Sequence, residues 1–467
     1  MDELLKTLRA YAAGPLYPMH MPGHKRRLES SRLPYGWDMT EVEGLDDLHE
    51  ADGILKAAMD RTAALHGAAR TWYLINGSTC GLLAGIRALA PDHSRILAAR
   101  NCHKAVYHAI ELGRLRADYL TPPIDGEFSV YGSITPRMVE EALKPDTACV
   151  VLTSPTYEGV ISDIRGIAAV CHSHGIPLLV DEAHGAHLGL FPGWPDSALG
   201  CGADLVVQSA HKTLPSLTQT ALLHMPQGSL ADPEEVERQL DIFETSSPSY
   251  PLMASLDSCT GILLDHGGEL FHSWLETLGK FDGIVKNLRY LRVLGHSAPP
   301  EGFFALDPGK LPVFTGGTQF TGASLARALR LRFGFETEMA CGQICLGMTS
   351  PLDDPAAVEA FGSALLALDG ECVPCPPAPA TLLPRPGEAV TTIAGALELP
   401  AREIPLEEAL GRVCAESIWA YPPGIPLAAP GEQITEEFLG CSCALLQSGT
   451  QLHHSHCKKP GFVHVLA

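Results

Sequence analysis

Ala203-Asp204-Leu205-Val206-Val207-Gln208 runs directly into Ser209-Ala210-His211-Lys212-Thr213. An apolar run of strand length therefore delivers a lysine just past its end. Upstream, Leu178-Leu179-Val180 ends in Asp181-Glu182-Ala183-His184. Two strand ends thus present a cation and an anion, and open α/β sheets bind ligands at the carboxyl ends of their strands. A lysine so placed can hold an aldehyde as a Schiff base. A carboxylate rising from a buried strand needs a cationic partner, and a protonated pyridine nitrogen would serve. Lys212 and Asp181 are therefore the pair that pyridoxal phosphate chemistry requires.

The pattern around this pair predicts the sheet. Strands are expected at Trp72–Asn76, Arg95–Ala99, Ala117–Thr121, Thr147–Thr153, Pro177–Asp181 and Thr220–Met225. Between them, helices are expected over Thr79–Leu89, Lys104–Leu112 and Ile164–His174. The strands are unbroken apolar runs such as Cys149-Val150-Val151-Leu152, which suits a sheet covered by helices on both faces. Alternating β and α units give a mostly parallel sheet with right-handed crossovers. From Leu291 the texture changes to short strands (Phe303–Leu306, Gln343–Met348) around helices at Ala323–Phe333 and Ala356–Leu368. The expected division is an N-terminal segment (1–44), a large α/β domain (45–290), a small α+β domain (291–370), a proline-rich linker (371–387) and a C-terminal domain (388–467).

At 467 residues the chain exceeds one ordinary core. A formal net charge of -21 argues against nucleic acid or an anionic membrane as partner, since both need clustered Lys and Arg. The polar start (Asp2, Glu3, Lys6) reads as no signal peptide, and no apolar stretch is long enough to span a bilayer. The 14 scattered cysteines then read as reduced thiols, and the expected location is the cytoplasm. The grouping of His453, His454, His456 and Cys457 has no familiar zinc spacing, so no metal is expected.

Asn76-Gly77-Ser78-Thr79 lies between a strand and a helix, where main-chain N–H groups and two hydroxyls can take a phosphate. The plain alternative is an N-cap by Ser78. His103, in Asn101-Cys102-His103-Lys104, can lie flat on a pyridine ring or simply cap its helix. Ala183 is small enough for a ring to approach the backbone. His184 can contact substrate, and His187 reads as structural. Glu244-Thr245-Ser246-Ser247-Pro248-Ser249-Tyr250 is a hydroxyl-rich turn ahead of a helix.

Taken together, these segments resemble the short bacterial Orn/Lys/Arg decarboxylases. The likeness also rests on Met21-Pro22-Gly23-His24-Lys25, Gly44-Leu45-Asp46-Asp47-Leu48-His49, Tyr421-Pro422-Pro423-Gly424-Ile425-Pro426 and Pro430-Gly431-Glu432, and runs in order along nearly the whole chain. It implies the aspartate aminotransferase fold (fold type I) and pyridoxal phosphate as cofactor. It implies Lys212 as the Schiff-base lysine, Asp181 as the pyridine-nitrogen partner and His103 as the stacking imidazole. Gly77, Ser78, Thr79, Ser209 and His211 fall at or near the phosphate. Ser246 and Ser247 match a turn that reaches the cofactor phosphate of a neighbouring subunit, which implies a homodimer or larger homo-oligomer. Glu432 matches a position facing the substrate's distal amine, its alternative being a cap on a helix starting near Thr435. Lys212, His211 and His184 are candidates for returning the proton to Cα. The implied activity is decarboxylation of a basic amino acid, arginine favoured over lysine and ornithine, in polyamine synthesis. Transamination, aldol cleavage or elimination on the same fold, or a silent regulatory homologue, are the rival readings.

Overall fold

The apolar runs assemble as neighbours in one sheet. A computed structural model describes residues 3–14, 34–128, 130–296, 302–376, 384–420, 425–447 and 452–467. Met21–Lys25 and Tyr421–Gly424 of the sequence likeness lie outside these residues. Helices α1 (Glu3–Ala12) and α2 (Ile54–His66) precede the sheet. Then come β1 (Arg70–Leu74), α3 (Gly77–Leu89), β2 (Arg95–Ala99), α4 (Lys104–Leu112), β3 (Arg116–Leu120), α5 (Pro136–Ala142) and β4 (Thr147–Thr153). The short β5 (Val160–Ile161), α6 (Ile164–Ser173), β6 (Leu178–Asp181), β7 (Leu205–Gln208), the single turn α7 (Ala210–Thr213) and β8 (Ala221–Met225) complete this part.

The sheet has seven strands in the order β1-β8-β7-β6-β4-β2-β3. The β3, β2, β4, β6 and β7 neighbours run parallel, while β8 is antiparallel to both β7 and β1. Asp181 pairs with Thr153 on one side and Val207 on the other, so its carboxylate emerges at the common carboxyl edge. Helix α3 lies close on this sheet. A Cβ at Gly81 would stand 2.6 Å from Leu74 Cδ1 and 3.1 Å from Val207 Cγ1. That close approach sets the start of α3 over the strand ends.

Helix α8 (Pro233–Phe243) leads to the 36-residue α9 (Tyr250–Val285), which belongs to two cores. Its first turns (Tyr250, Met253, Leu256) pack with Leu4 and Leu8 of α1. Its later turns (Phe271, Trp274, Leu278, Phe281) pack with the small domain. That domain holds β9 (Arg292–Val293), β10 (Ala305–Leu306), β11 (Lys310–Phe314), α10 (Gly322–Ala328), β12 (Met339–Cys341), β13 (Ile344–Met348) and α11 (Pro355–Asp369). Its sheet order is β12-β13-β11-β9, while β10 pairs with β5 of the large domain. The helix expected to reach Phe333 changes to a π-turn at Leu329–Phe333.

The last part comprises α12 (Ile393–Leu397), β14 (Ala401–Pro405), β15 (Ile418–Ala420), β16 (Ile425–Ala428), α13 (Glu436–Gln447), β17 (Leu452–His454) and β18 (Phe462–Leu466). It has its own core around Ile418, Leu427, Phe438 and Val463. His454 and the main-chain N–H groups of Cys457 and His464 all converge on the buried Glu416 carboxylate. All fourteen cysteines are free thiols. No helix of the described residues is long and apolar enough to cross a membrane.

Candidate active site

A cavity of about 230 Å³ opens at the carboxyl edge of the sheet, lined by Ser78, His103, Asp181, Ala183, His184 and Lys212. Residues far apart in sequence meet there because four parallel strands end at one edge. Lys212 follows β7, and its Nζ stands 2.9 Å from His184 Nε2. Burial holds the Lys212 pKa below that of an ordinary lysine, against the opposing charges of Asp181 and Glu338. Asp181 is 3% exposed, and its Oδ1 accepts the Ala183 N–H at 3.1 Å. Burial raises its carboxyl pKa, and the Lys212 charge pulls it back. His184 is pushed well below the usual imidazole range by burial and by the charges of Lys212 and Lys310.

His103 is both a lining residue and a cap. Its Nδ1 accepts the Ala105 N–H at 3.2 Å at the start of α4, so the two readings of this histidine are compatible. Burial, with Lys212 and Lys104 nearby, lowers its pKa to about 4. The cap reading of Ser78 fails. Asn76 holds the N-cap position of α3 and its side chain caps nothing, while Ser209 Oγ donates to Ser78 Oγ at 2.9 Å. Gly77 begins the helix with φ +77°, and Thr79 is exposed on the same turn. The first N–H groups of α3 and two converging hydroxyls are therefore placed where they could take an anion. His211 directs Nδ1 to the Thr220 carbonyl oxygen at 2.8 Å and does not line the cavity.

Ser246 and Ser247 are exposed and lie outside the cavity lining of their own chain. Their turn is held from behind. Glu244 accepts the Ile75 N–H at 2.7 Å, and His49 Nε2 lies 3.0 Å from the Thr245 carbonyl oxygen.

Glu432 is not in the cavity. It is 3% exposed and bound in two-pronged fashion by Arg100, Nη1 to Oε1 at 2.6 Å and Nη2 to Oε2 at 2.9 Å. Its Oε2 also accepts the Ala429 N–H. The expectation of a substrate-facing carboxylate is replaced by a buried ion pair between the C-terminal part and the large domain. The capping alternative is replaced too, because Thr435 Oγ1 accepts the Phe438 N–H at the start of α13.

The structure adds groups that the sequence did not single out. Tyr157 and Glu158 reach the cavity from the loop after β4, and Glu338 reaches it from the small domain. Tyr157 donates to Glu338 Oε1 at 2.6 Å, across the two domains. Burial raises the Glu158 carboxyl pKa. Lys310, 2% exposed, opens β11 with its Nζ 3.5 Å from His184 Nδ1. A signal for it existed. A lone lysine heads the apolar run Leu311–Phe314, but Pro308 and Pro312 obscure the strand.

The donor set fits pyridoxal phosphate. Asp181 is a buried carboxylate at a ligand-binding edge, and Lys212 stands beside it. Asn101 Oδ1 and Thr153 Oγ1, on residues lining the same cavity, are buried without a hydrogen-bond partner, which is costly unless a ligand completes them. Sheet, cavity and this pair define a fold type I, pyridoxal-phosphate-dependent enzyme. More narrowly, the chain belongs to the Orn/Lys/Arg decarboxylase family. The model of that family's major domain matches residues 3–294, and that of its C-terminal domain matches residues 385–466. Similar proteins include the uncharacterized protein YaaO of Bacillus subtilis (strain 168), 34% identical over 93% of this chain and 92% of the relative. The arginine decarboxylase of the same organism is 31% identical, covering 93% of this chain and 91% of its own. The arginine decarboxylase of Halalkalibacterium halodurans is 30% identical with the same coverage. Among solved structures, the lysine decarboxylase LdcF of Francisella novicida superposes with TM-score 0.84 at 19% identity, covering 100% of this chain and 81% of that one. The constitutive lysine decarboxylase of E. coli gives 0.81 at 20% identity, with 100% and 82% covered.

Proposed function

We propose that this enzyme decarboxylates a basic amino acid at the Lys212 cavity, with arginine as the preferred substrate and polyamine synthesis in the cytoplasm as its setting. The observation that carries the basic substrate is acidic. Glu158 and Glu338 line the cavity in addition to Asp181. A carboxylate facing a guanidinium gives a charge-assisted, often two-pronged hydrogen bond. Arginine is favoured because relatives named arginine decarboxylases are 30–31% identical across more than 90% of both chains.

When bound, pyridoxal phosphate supplies a protonated ring that withdraws the electrons of the Cα–carboxylate bond. Lys212 is the attachment lysine, and the Asp181 carboxylate neutralises the ring nitrogen. The start of α3, with Ser78 and Ser209, takes the phosphate, and His103 covers the ring. Once free, the Lys212 amine can exchange a proton with His184, which makes this pair the reading for the Cα proton donor, ahead of His211.

The working unit in this reading is at least a homodimer, with the exposed Ser246–Ser247 turn completing the partner's site. The deciding experiment measures CO2 release from arginine, lysine, ornithine and a panel of neutral and acidic amino acids. Release fastest from arginine supports the proposal. Turnover confined to neutral or acidic amino acids would overturn the substrate class. Lys212→Ala protein and protein with bulky apolar residues at Ser246 and Ser247 should each be inactive. Mixed under conditions of subunit exchange, they should regain part of the activity, and no regain despite exchange would confine the turn to its own chain.

A further inference from the structure

His184 stands between two lysine nitrogens, Lys212 Nζ at 2.9 Å from its Nε2 and Lys310 Nζ at 3.5 Å from its Nδ1. A lysine ammonium has only donors, and a neutral imidazole has one donor and one acceptor. A neutral His184 can satisfy both neighbours only if the lysine facing its N–H is a neutral amine that accepts, while the other donates to the bare ring nitrogen. Which lysine carries the charge is decided by the next group along. Asp307 Oδ1 is engaged by His187 at 3.0 Å and by the Gly309 N–H at 2.8 Å. Asp307 Oδ2 is buried with no hydrogen-bond partner, and Lys310 Nζ stands 3.9 Å from it. The ammonium of Lys310 thus has a carboxylate oxygen within 4 Å that no other donor takes, whereas Asp181 and Glu338 act on Lys212 from farther away.

The stem of Lys310 is fixed in this place. A Cβ on Gly159, which has φ +96°, would come within 2.7 Å of Lys310 Cγ, so the lysine lies flat across a bare backbone. The main chain of Lys310 accepts from His296 at 3.0 Å. The Tyr157 ring lies against His184, with centroids 4.6 Å apart, and limits its rotation.

We infer that Lys310 is a positioning residue that acts through His184: its ammonium donates to Nδ1, the His184 proton is thereby placed on Nε2, and Lys212 is held as a neutral amine. Only the neutral amine attacks an aldehyde or accepts a proton. The inference rests on Lys212 being the attachment lysine, which borohydride reduction and peptide mapping test separately. The charged and titratable groups facing the trio are Asp181, His103, His211, Glu338 and Asp307. Burial lowers the Lys310 pKa to about 8, with Asp307 opposing the fall and Lys212 adding to it.

The experiment follows Lys212 in the full chain freed of cofactor, so it does not depend on turnover. The rate at which trinitrobenzenesulfonate labels Lys212, read by peptide mass spectrometry across pH, reports its neutral fraction. In Lys310→Met the midpoint should rise by about one unit or more, which is about tenfold slower labelling at neutral pH. Lys310→Arg should keep most of the wild-type midpoint. A second measurement needs no folded Lys310 variant. The 15N resonances of His184 in wild-type protein, assigned by their loss in His184→Gln, should show the proton on Nε2. A proton on Nδ1, or a Lys212 midpoint unmoved in folded Lys310→Met, would overturn the inference.

Discussion

Asp181 and Lys212 lie close enough for their charges to be felt, in a cavity dry enough to displace both pKa values from the ordinary. Burial works against each charge, and each supports the other. In Asp181→Asn the shape is kept and the counter-charge is lost. Cofactor should remain bound, seen as visible absorbance, while kcat falls by about a hundredfold or more, the scale of losing one preorganised electrostatic partner. Retention of most of the activity would remove Asp181 from its role. Glu338 makes a second case at this scale. It receives the Tyr157 hydroxyl from across the cleft and leaves room for a further donor. Glu338→Gln should lower kcat/KM for the basic substrate by about one to two powers of ten, with cofactor absorbance unchanged. Glu338→Gln with an unaltered substrate ranking would send the search for the tail-binding carboxylate back to Glu158.

Between elements, the deciding contact is the Arg100–Glu432 pair. It joins the segment after β2 to the segment between β16 and α13. Arg100 is 1% exposed and also lies against the rings of Tyr107 and Tyr119, at 5.7 and 5.0 Å. Burial opposes its charge, yet Glu432 and the two tyrosines hold its pKa well above the ordinary value. Glu432→Gln leaves a buried guanidinium without its counter-charge. It should destabilise the chain by about 3–5 kcal/mol in denaturant titration. The double variant Arg100→Met with Glu432→Leu should recover a large part of that loss, because neither partner is then left uncompensated. If Glu432→Gln kept full stability and lost only kcat/KM, the substrate-facing role would return.

At the scale of the whole molecule, stability depends on how many carboxyls are held protonated in the core. Glu182 joins β6 to β7 and to the loop at Ser197, accepting Ser197 Oγ at 2.6 Å, Ala198 N–H at 2.8 Å and Gln208 Nε2 at 2.7 Å. Burial outweighs these bonds and raises its pKa from 4.5 to about 7. The folded chain therefore binds this proton more tightly than the unfolded chain does. The associated stability is complete below pH 4.5 and is lost as pH rises through about 7. At 1.36 kcal/mol per unit the change across that window is about 3 kcal/mol. Glu182→Gln should flatten this part of the stability–pH curve, measured by denaturant unfolding at several pH values. A slope equal to that of the wild-type protein would show that another group sets it.

The sequence by itself determined the strand-and-helix rhythm and the family, and it singled out Asp181 and Lys212, which the fold brings to one cavity. These are local or near-local signals. Val150–Leu152 and Leu178–Asp181 read as buried strands because both faces of the sheet are covered, and a lysine or aspartate ending such a run declares its edge. The start of α3 and the His103 cap are legible for the same reason. What the tertiary structure decided depends on partners hundreds of residues apart. Glu432 in its Pro-Gly-Glu setting resembles a substrate contact, and only the fold shows it bound to Arg100, 332 positions away. Glu158, Glu338 and Lys310 carry no local pattern, since a charged side chain in a loop or at a strand start is usually solvated. Glu158 joins the site because the loop after β4 ends at the same edge, and Glu338 and Lys310 join it because β5 pairs with β10 and so draws the small domain over the cleft. Periodicity reports which face of an element is buried, but it holds no record of what is buried against it. The identity of that neighbour is what turns a lysine or a glutamate into chemistry.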